Sequence, residues 1–310
     1  MRSTVLSRYL ARALLIVALA AACDPGASTP RSIPKEERDA IRIASFDFTE
    51  SRILAEIYAT ALEAAGYPVD RKLGVASREI LEPALEQDRV DLVPEYMGTA
   101  LTFVTLGAQE PSSNPASTHR SLENAFAREG IAVLDYAPAQ NKNGIVVTEE
   151  TAHELELEHI SDLEPVAPYM AFGGPPECPE RPLCLLGLRD TYGLSFSRFQ
   201  PLDAGGPLTV ATLLSGEVEV ALLFTTDPNI EANDLRLLED DRDLQPAENV
   251  VPVVREEVIA RHGDAIVSLL DAITHRLTTD DLRDLNAEVD LRGAEPSAVA
   301  AQWLRTEGPR

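Results

Sequence analysis

Ile41-Arg-Ile-Ala-Ser-Phe46 alternates apolar and polar side chains, the pattern of a strand with one face in a core. Thr49 follows as an N-cap with Glu50 in the first turn, and apolar residues recur at Ile53, Leu54, Ile57, Tyr58, Ala61, Leu62 and Ala65, the stripe of a packed helix. Gly66-Tyr-Pro68 stops that helix. Val69 to Val75 reads as a second strand, Ser77 leads into a helix with Ile80, Leu81, Ala84 and Leu85 inward, and Val90-Asp-Leu-Val93 is a third strand. The order βαβαβ predicts an α/β domain with a largely parallel sheet.

A related unit returns downstream. Leu208 to Leu214 reads as a helix, Ser215-Gly216 ends it, and Val218 to Phe224 is an apolar strand. In both places an aromatic, Tyr96 or Phe224, follows the strand's first valine, and a hydrogen-bonding residue, Thr99 or Asp227, comes shortly after. This predicts two lobes with ligand groups at the carboxyl ends of strands, where open α/β sheets bind ligands. The C-terminal third has helical spacing over Glu256 to His275, Thr279 to Glu288 and Ser297 to Arg305, read as helices packing back on the first lobe. The chain is expected to cross between lobes near Ala137–Asn143 and again near Asn249–Val254. That places lobe 1 at 38–139 with 250–310, and lobe 2 at 140–249.

Upstream, Arg2, Arg8 and Arg12 precede an apolar run from Ala13 to Ala22, a leader too short to span a bilayer as a mature helix. The run ends in Leu19-Ala20-Ala21-Ala22-Cys23, which resembles the lipobox of bacterial lipoproteins; an ordinary cleaved signal is the other reading. Residues 1–23 are thus a lipoprotein signal peptide with Cys23 as lipidation site. Residues 24–37, with Pro25, Pro30 and Pro34 among small polar residues, are a flexible tether. Location at the extracytoplasmic face of a membrane, periplasmic or external, follows from that anchor.

A formal net charge of −24 repels phosphate backbones and argues against a nucleic-acid partner. Cys178 and Cys184, an even pair in an exported chain, read as a disulfide. The alternative, a metal site, lacks nearby histidines to complete four ligands. No phosphate-binding or dinucleotide-binding glycine motif, nucleophile elbow or metal-like histidine spacing occurs, so neither a cofactor nor catalysis is expected.

Ala44-Ser-Phe-Asp-Phe-Thr-Glu50, Ile53-Leu-Ala-Glu56 and Val90-Asp-Leu-Val-Pro-Glu-Tyr-Met-Gly-Thr99 resemble the osmoprotectant-binding lipoproteins of ABC importers, which take glycine betaine, carnitine, choline and similar quaternary ammonium compounds. Shorter matches continue through Ile160-Ser-Asp-Leu163, Phe172-Gly173, Tyr192-Gly193, Thr226-Asp227, Pro252-Val-Val-Arg255, Leu285-Asn286 and Val289-Asp290. The resemblance implies a two-lobed type II periplasmic-binding-protein fold with two hinge crossovers, acting as a monomer with a membrane permease. It also implies an aromatic cage for the cation and polar donors for a carboxylate. On matching positions, Asp47, Tyr96, Thr99, Arg181 and Phe224 are the expected ligand residues. Three departures stand out. Phe46 replaces a lysine, Gly144 replaces a cage tyrosine, and both Cys178 and Cys184 replace other residues. A different small solute, such as an amino acid derivative or a polyamine, is the alternative cargo; a structural or sensory lipoprotein is the alternative role.

Overall fold

The computed structural model describes residues 40–308, so the leader, Cys23 and the whole of the tether lie outside the described residues. The chain opens with β1 (Ile41–Phe46), α1 (Thr49–Ala64), β2 (Val69–Ala76), α2 (Arg78–Glu86), β3 (Leu92–Tyr96), α3 (Met97–Val104), α4 (Pro115–Phe126) and β4 (Ile131–Val133). It continues with β5 (Asn143–Thr148), α5 (Glu149–Leu155), β6 (Ala171–Gly174), α6 (Leu185–Tyr192), β7 (Arg198–Pro201), α7 (Pro207–Leu214), β8 (Val220–Phe224), α8 (Asn229–Ala232) and β9 (Leu235–Leu237). It ends with β10 (Val250–Arg255), α9 (Glu256–His262), α10 (Asp264–Thr274), α11 (Thr279–Asp290) and α12 (Pro296–Thr306).

The strands form two five-stranded sheets, β2-β1-β3-β10-β4 and β7-β6-β8-β5-β9, one per lobe. Both are mixed rather than largely parallel. β1 runs parallel to β2 and β3, while β10 is antiparallel to β3 and β4. In the second sheet β6 runs parallel to β7 and β8, while β5 is antiparallel to β8 and β9. The reversed strand in each sheet is the one that arrives from the other lobe, so the crossovers themselves set the reversal. The two crossovers lie side by side: Ala137 N donates to Val250 O at 2.8 Å, Val250 N to Ala139 O at 3.0 Å, and Asn141 N to Glu248 O at 3.1 Å.

The apolar stripe of α1 is buried under the C-terminal helices. Ile53, Leu54, Ile57 and Tyr58 share one core with Leu282, Leu285, Val299 and Trp303. Two local expectations are corrected. The segment from Glu256 to His275 is two helices, because Gly263 turns the chain with φ +82°, a conformation that costs glycine little. Thr49 lies inside α1 rather than capping it; the N-cap is Phe48, and the Thr49 hydroxyl donates to Asp290 at 2.6 Å.

Cys178 and Cys184 are bonded, with Cα atoms 5.3 Å apart, inside the core of the second lobe. The bond closes a short loop that carries Arg181. Chain entropy for so small a ring gives about 2 kcal/mol. Replacing both cysteines with serine should lower the unfolding free energy by about that amount in urea titrations. An unchanged midpoint would count against the bond as a stabilising element.

Candidate ligand-binding cleft

The carboxyl ends of β3 and β8 face one another across a cleft of about 750 Å3 between the lobes. Phe46 and Phe48 follow from β1, Tyr96 ends β3 and Phe224 ends β8. Their rings form a continuous set: Phe46 stacks on Phe48 at 6.1 Å, Phe48 meets Tyr96 at 6.0 Å, and Phe48 meets Phe224 at 4.9 Å. Tyr96 and Phe224 are joined through Phe48. Sequence reading missed Phe48 because an aromatic just past a strand end has the same signature as core.

Each ring is held by its own chemistry. Tyr96 is 6% exposed, and its hydroxyl donates to Glu50 Oε1 at 2.6 Å. Burial, then the Glu50 charge, hold the phenol well above its ordinary pKa, so it remains a donor. Glu50 is itself buried at the meeting of the lobes. Asn141 Nδ2 reaches Oε1 at 2.8 Å, while the Thr226 hydroxyl at 2.6 Å and Asn286 Nδ2 at 2.8 Å reach Oε2. One carboxylate thus ties the end of β3, a crossover, the segment after β8 and α11.

Position 144 proves not to be a cleft position. A side chain there would run into Leu237 and the Leu223 carbonyl, whereas Asn143, paired across the sheet with Phe224, lines the cleft. The cleft wall on that side is therefore amide, with Asn141 and Asn143, rather than a missing ring.

The other expected residues lie around the same space. Thr99 lines the cleft, with its hydroxyl donating to Glu248 Oε1 at 2.5 Å and its N–H to Oε2 at 3.1 Å. Asp47 lines the cleft at its rim and pairs with Arg52. Arg181 reaches from the disulfide loop across to the first lobe. Its Nη2 meets Glu79 at 2.6 Å, its guanidinium lies 5.3 Å from the Phe103 ring centre, and its buried Nε has no partner among the described residues. Arg181 therefore pairs with an acid of the facing lobe and not with Glu177 or Glu180 beside it.

A buried acidic cluster underlies the first-lobe wall. Glu82, Glu95 and Glu248 surround a single cation, Arg78, whose Nε and Nη2 meet Glu95 at 2.8 and 2.6 Å. Burial pushes Glu248 up to about 7, against the hydrogen bonds from Thr99, and pushes Asp227 up to about 6. Burial and the Glu95 charge hold Glu82 well above the carboxylate range. In the unfolded chain Glu248 releases its proton near the ordinary 4.5, so between about 4.5 and 7 the folded state binds more protons. Stability must then fall as pH rises through that window, by on the order of 3 kcal/mol for Glu248 alone. Melting from pH 5 to 8 should show this decline, and Glu248→Gln should flatten it. A wild-type protein that gains stability across the window would refute the assignment.

Two lobes, two crossovers and a cleft at the carboxyl ends of both sheets define a substrate-binding protein of the type II periplasmic class. The chain belongs to the family described as the substrate binding domain of ABC-type glycine betaine transport systems, whose profile matches residues 39–306. A glycine-betaine-binding protein of Pseudomonas aeruginosa is 32% identical, over 87% of this chain and 88% of that protein. The Escherichia coli glycine betaine-binding protein YehZ is 26% identical, over 89% of this chain and 93% of its own. A crystal structure of a glycine betaine/carnitine/choline ABC transporter protein superposes with a TM-score of 0.67 at 25% identity, covering 86% of this chain and 97% of that one.

Proposed function

We propose that this protein captures a small quaternary ammonium zwitterion of the glycine betaine type and delivers it to a membrane permease. The observation that carries this reading is the run of Phe48, Tyr96 and Phe224 rings, drawn from both lobes into one cleft that Arg181 also lines. A trimethylammonium group has no proton to donate, so ring faces are its best uncharged partners. A carboxylate on the same molecule suits the guanidinium of Arg181, which lines the cleft together with Thr99 and Asp47. The names of the relatives from Pseudomonas aeruginosa and Escherichia coli support the same ligand class.

The protein works as a monomer, without a cofactor and without catalysis, and its acidic surface suits no nucleic acid. Lipidation at Cys23 holds it at the outer face of the membrane, with residues 24–37 as tether. Thermal-shift screening of the mature protein against glycine betaine, carnitine, choline, ectoine, proline betaine, polyamines and amino acids tests the reading, because a bound ligand raises the melting temperature by mass action. Shifts confined to quaternary ammonium compounds support it. Shifts with polyamines or amino acids alone would replace it with the other cargo, and no shift at all would favour the structural role.

A further inference from the structure

Helix α3 lies along the ligand cleft with one face toward it. Tyr96 just before the helix, Thr99, Thr102 and Phe103 within it, and Leu106 in the turn that follows all line the cleft. Their spacing of three to four residues makes a single stripe, and a helix of eight residues carries that stripe for about 12 Å. The rings of Phe48, Tyr96 and Phe224 take only the end at Tyr96. Toward the other end, the segment between β6 and α6 sets Arg181 over the Phe103 ring and brings Pro175, Pro176 and Pro182 to the cleft.

The lobes already meet at both ends of this stripe. Phe224 of the second lobe lies 4.9 Å from Phe48 of the first, and the Thr226 hydroxyl donates to Glu50 at 2.6 Å. At the far end Arg181 meets Glu79 at 2.6 Å. The space of about 750 Å3 thus lies between lobes in contact. A cleft of roughly 300–1,000 Å3 suits a drug-sized ligand, and a molecule as small as glycine betaine leaves much of it unfilled. Leu106 marks the unfilled end. It is 93% exposed and takes φ +52°, the left-handed position after a helix where glycine is the usual residue. Its N–H donates to the Phe103 carbonyl at 3.0 Å, and that of Gly107 to the Thr102 carbonyl at 2.8 Å, which completes the helix stop. A leucine there adds strain and no core packing, and strain of this kind clusters where a site uses the side chain.

We propose that the ligand is a betaine bearing a bulky apolar substituent, with its trimethylammonium group on the aromatic run and its substituent between Phe103, Leu106 and the proline-rich segment. This rests on the quaternary ammonium reading and names a larger class of ligand within it. Covering Leu106 removes apolar surface from water on both partners, so affinity grows with the substituent.

The N,N,N-trimethyl derivatives of glycine, alanine, leucine and phenylalanine keep one cation and one carboxylate while the substituent grows, and calorimetry with the mature protein compares them. The phenylalanine derivative should bind at least tenfold more tightly than glycine betaine, with the other two between. Leu106→Gly deletes the side chain and relaxes the backbone, so the variant keeps its fold. It should weaken binding of the phenylalanine derivative fivefold or more while glycine betaine changes less than twofold. Affinity that falls as the substituent grows overturns the proposal and leaves the quaternary ammonium reading standing. An equal change for both ligands in Leu106→Gly overturns it as well. Should no member of the series bind, the quaternary ammonium reading fails and the proposal fails with it.

Discussion

Replacing Glu50 with alanine is expected to cost on the order of 4 kcal/mol or more of unfolding free energy, the largest effect of any single substitution around the cleft. The reason is its position as the shared acceptor for Tyr96, Asn141, Thr226 and Asn286, all buried. Alanine leaves Tyr96, Asn141 and Thr226 without that acceptor and leaves Asn286 only its longer bonds to Thr226, and an unsatisfied buried donor costs about 1–3 kcal/mol before water re-enters. Glu50→Gln should cost much less. The Thr226 hydroxyl can turn to accept, and Asn286 Oδ1, buried and unpartnered, can accept a hydrogen bond from the new amide once the Asn286 side chain flips. Chemical denaturation of the two variants measures the difference. Equal and small losses for both would show that the carboxylate does not join the lobes.

Tyr96→Ala is expected to weaken binding of a quaternary ammonium ligand by tenfold or more, measured by calorimetry at a temperature where the variant is folded. A ring on a desolvated cation contributes up to about 2 kcal/mol, and lost packing adds to that. Phe224→Ala should weaken binding similarly with less damage to the fold, since Phe224 is only half-buried whereas Tyr96 lies in the core of the first lobe. Tyr96→Phe separates the two roles of the residue. It keeps the ring face and so most of the affinity, but it withdraws one donor from Glu50 and should lower stability by about 1–2 kcal/mol. Wild-type affinity in Tyr96→Ala would mean that the cleft binds its ligand elsewhere.

The parts of this molecule that sequence reveals are those written in short-range periodicity. The alternation in Ile41–Phe46 and the apolar stripe of α1 each report a face toward a core, and the turn at Gly66-Tyr-Pro68 reports a chain that must leave a helix. The cysteine pair needs only its spacing and an exported chain. What sequence hides is set by distance along the chain. Glu50 reads as an ordinary first-turn acid, because its partners lie 46, 91, 176 and 236 residues away. Arg78 reads as a surface residue at a helix start, yet the fold buries it against Glu95 and Phe46. Sheet direction is hidden for the same reason, since β10 joins β3 only after the excursion through the second lobe. The glycine at 144 shows the converse error. Alignment of a motif named a cage position, but strand register sends that side chain toward Leu237 and gives the cleft to Asn143.

The central claim is that the cleft recognises a cation without hydrogen-bond donors through the Phe48, Tyr96 and Phe224 rings. Calorimetric titration of the mature protein with glycine and its mono-, di- and trimethylated derivatives addresses this most directly, since only the donors on nitrogen change along the series. Affinity should rise with each methyl group, and glycine betaine should bind at least a hundredfold more tightly than glycine. An affinity that is flat across the series, or highest for glycine, would contradict the aromatic site.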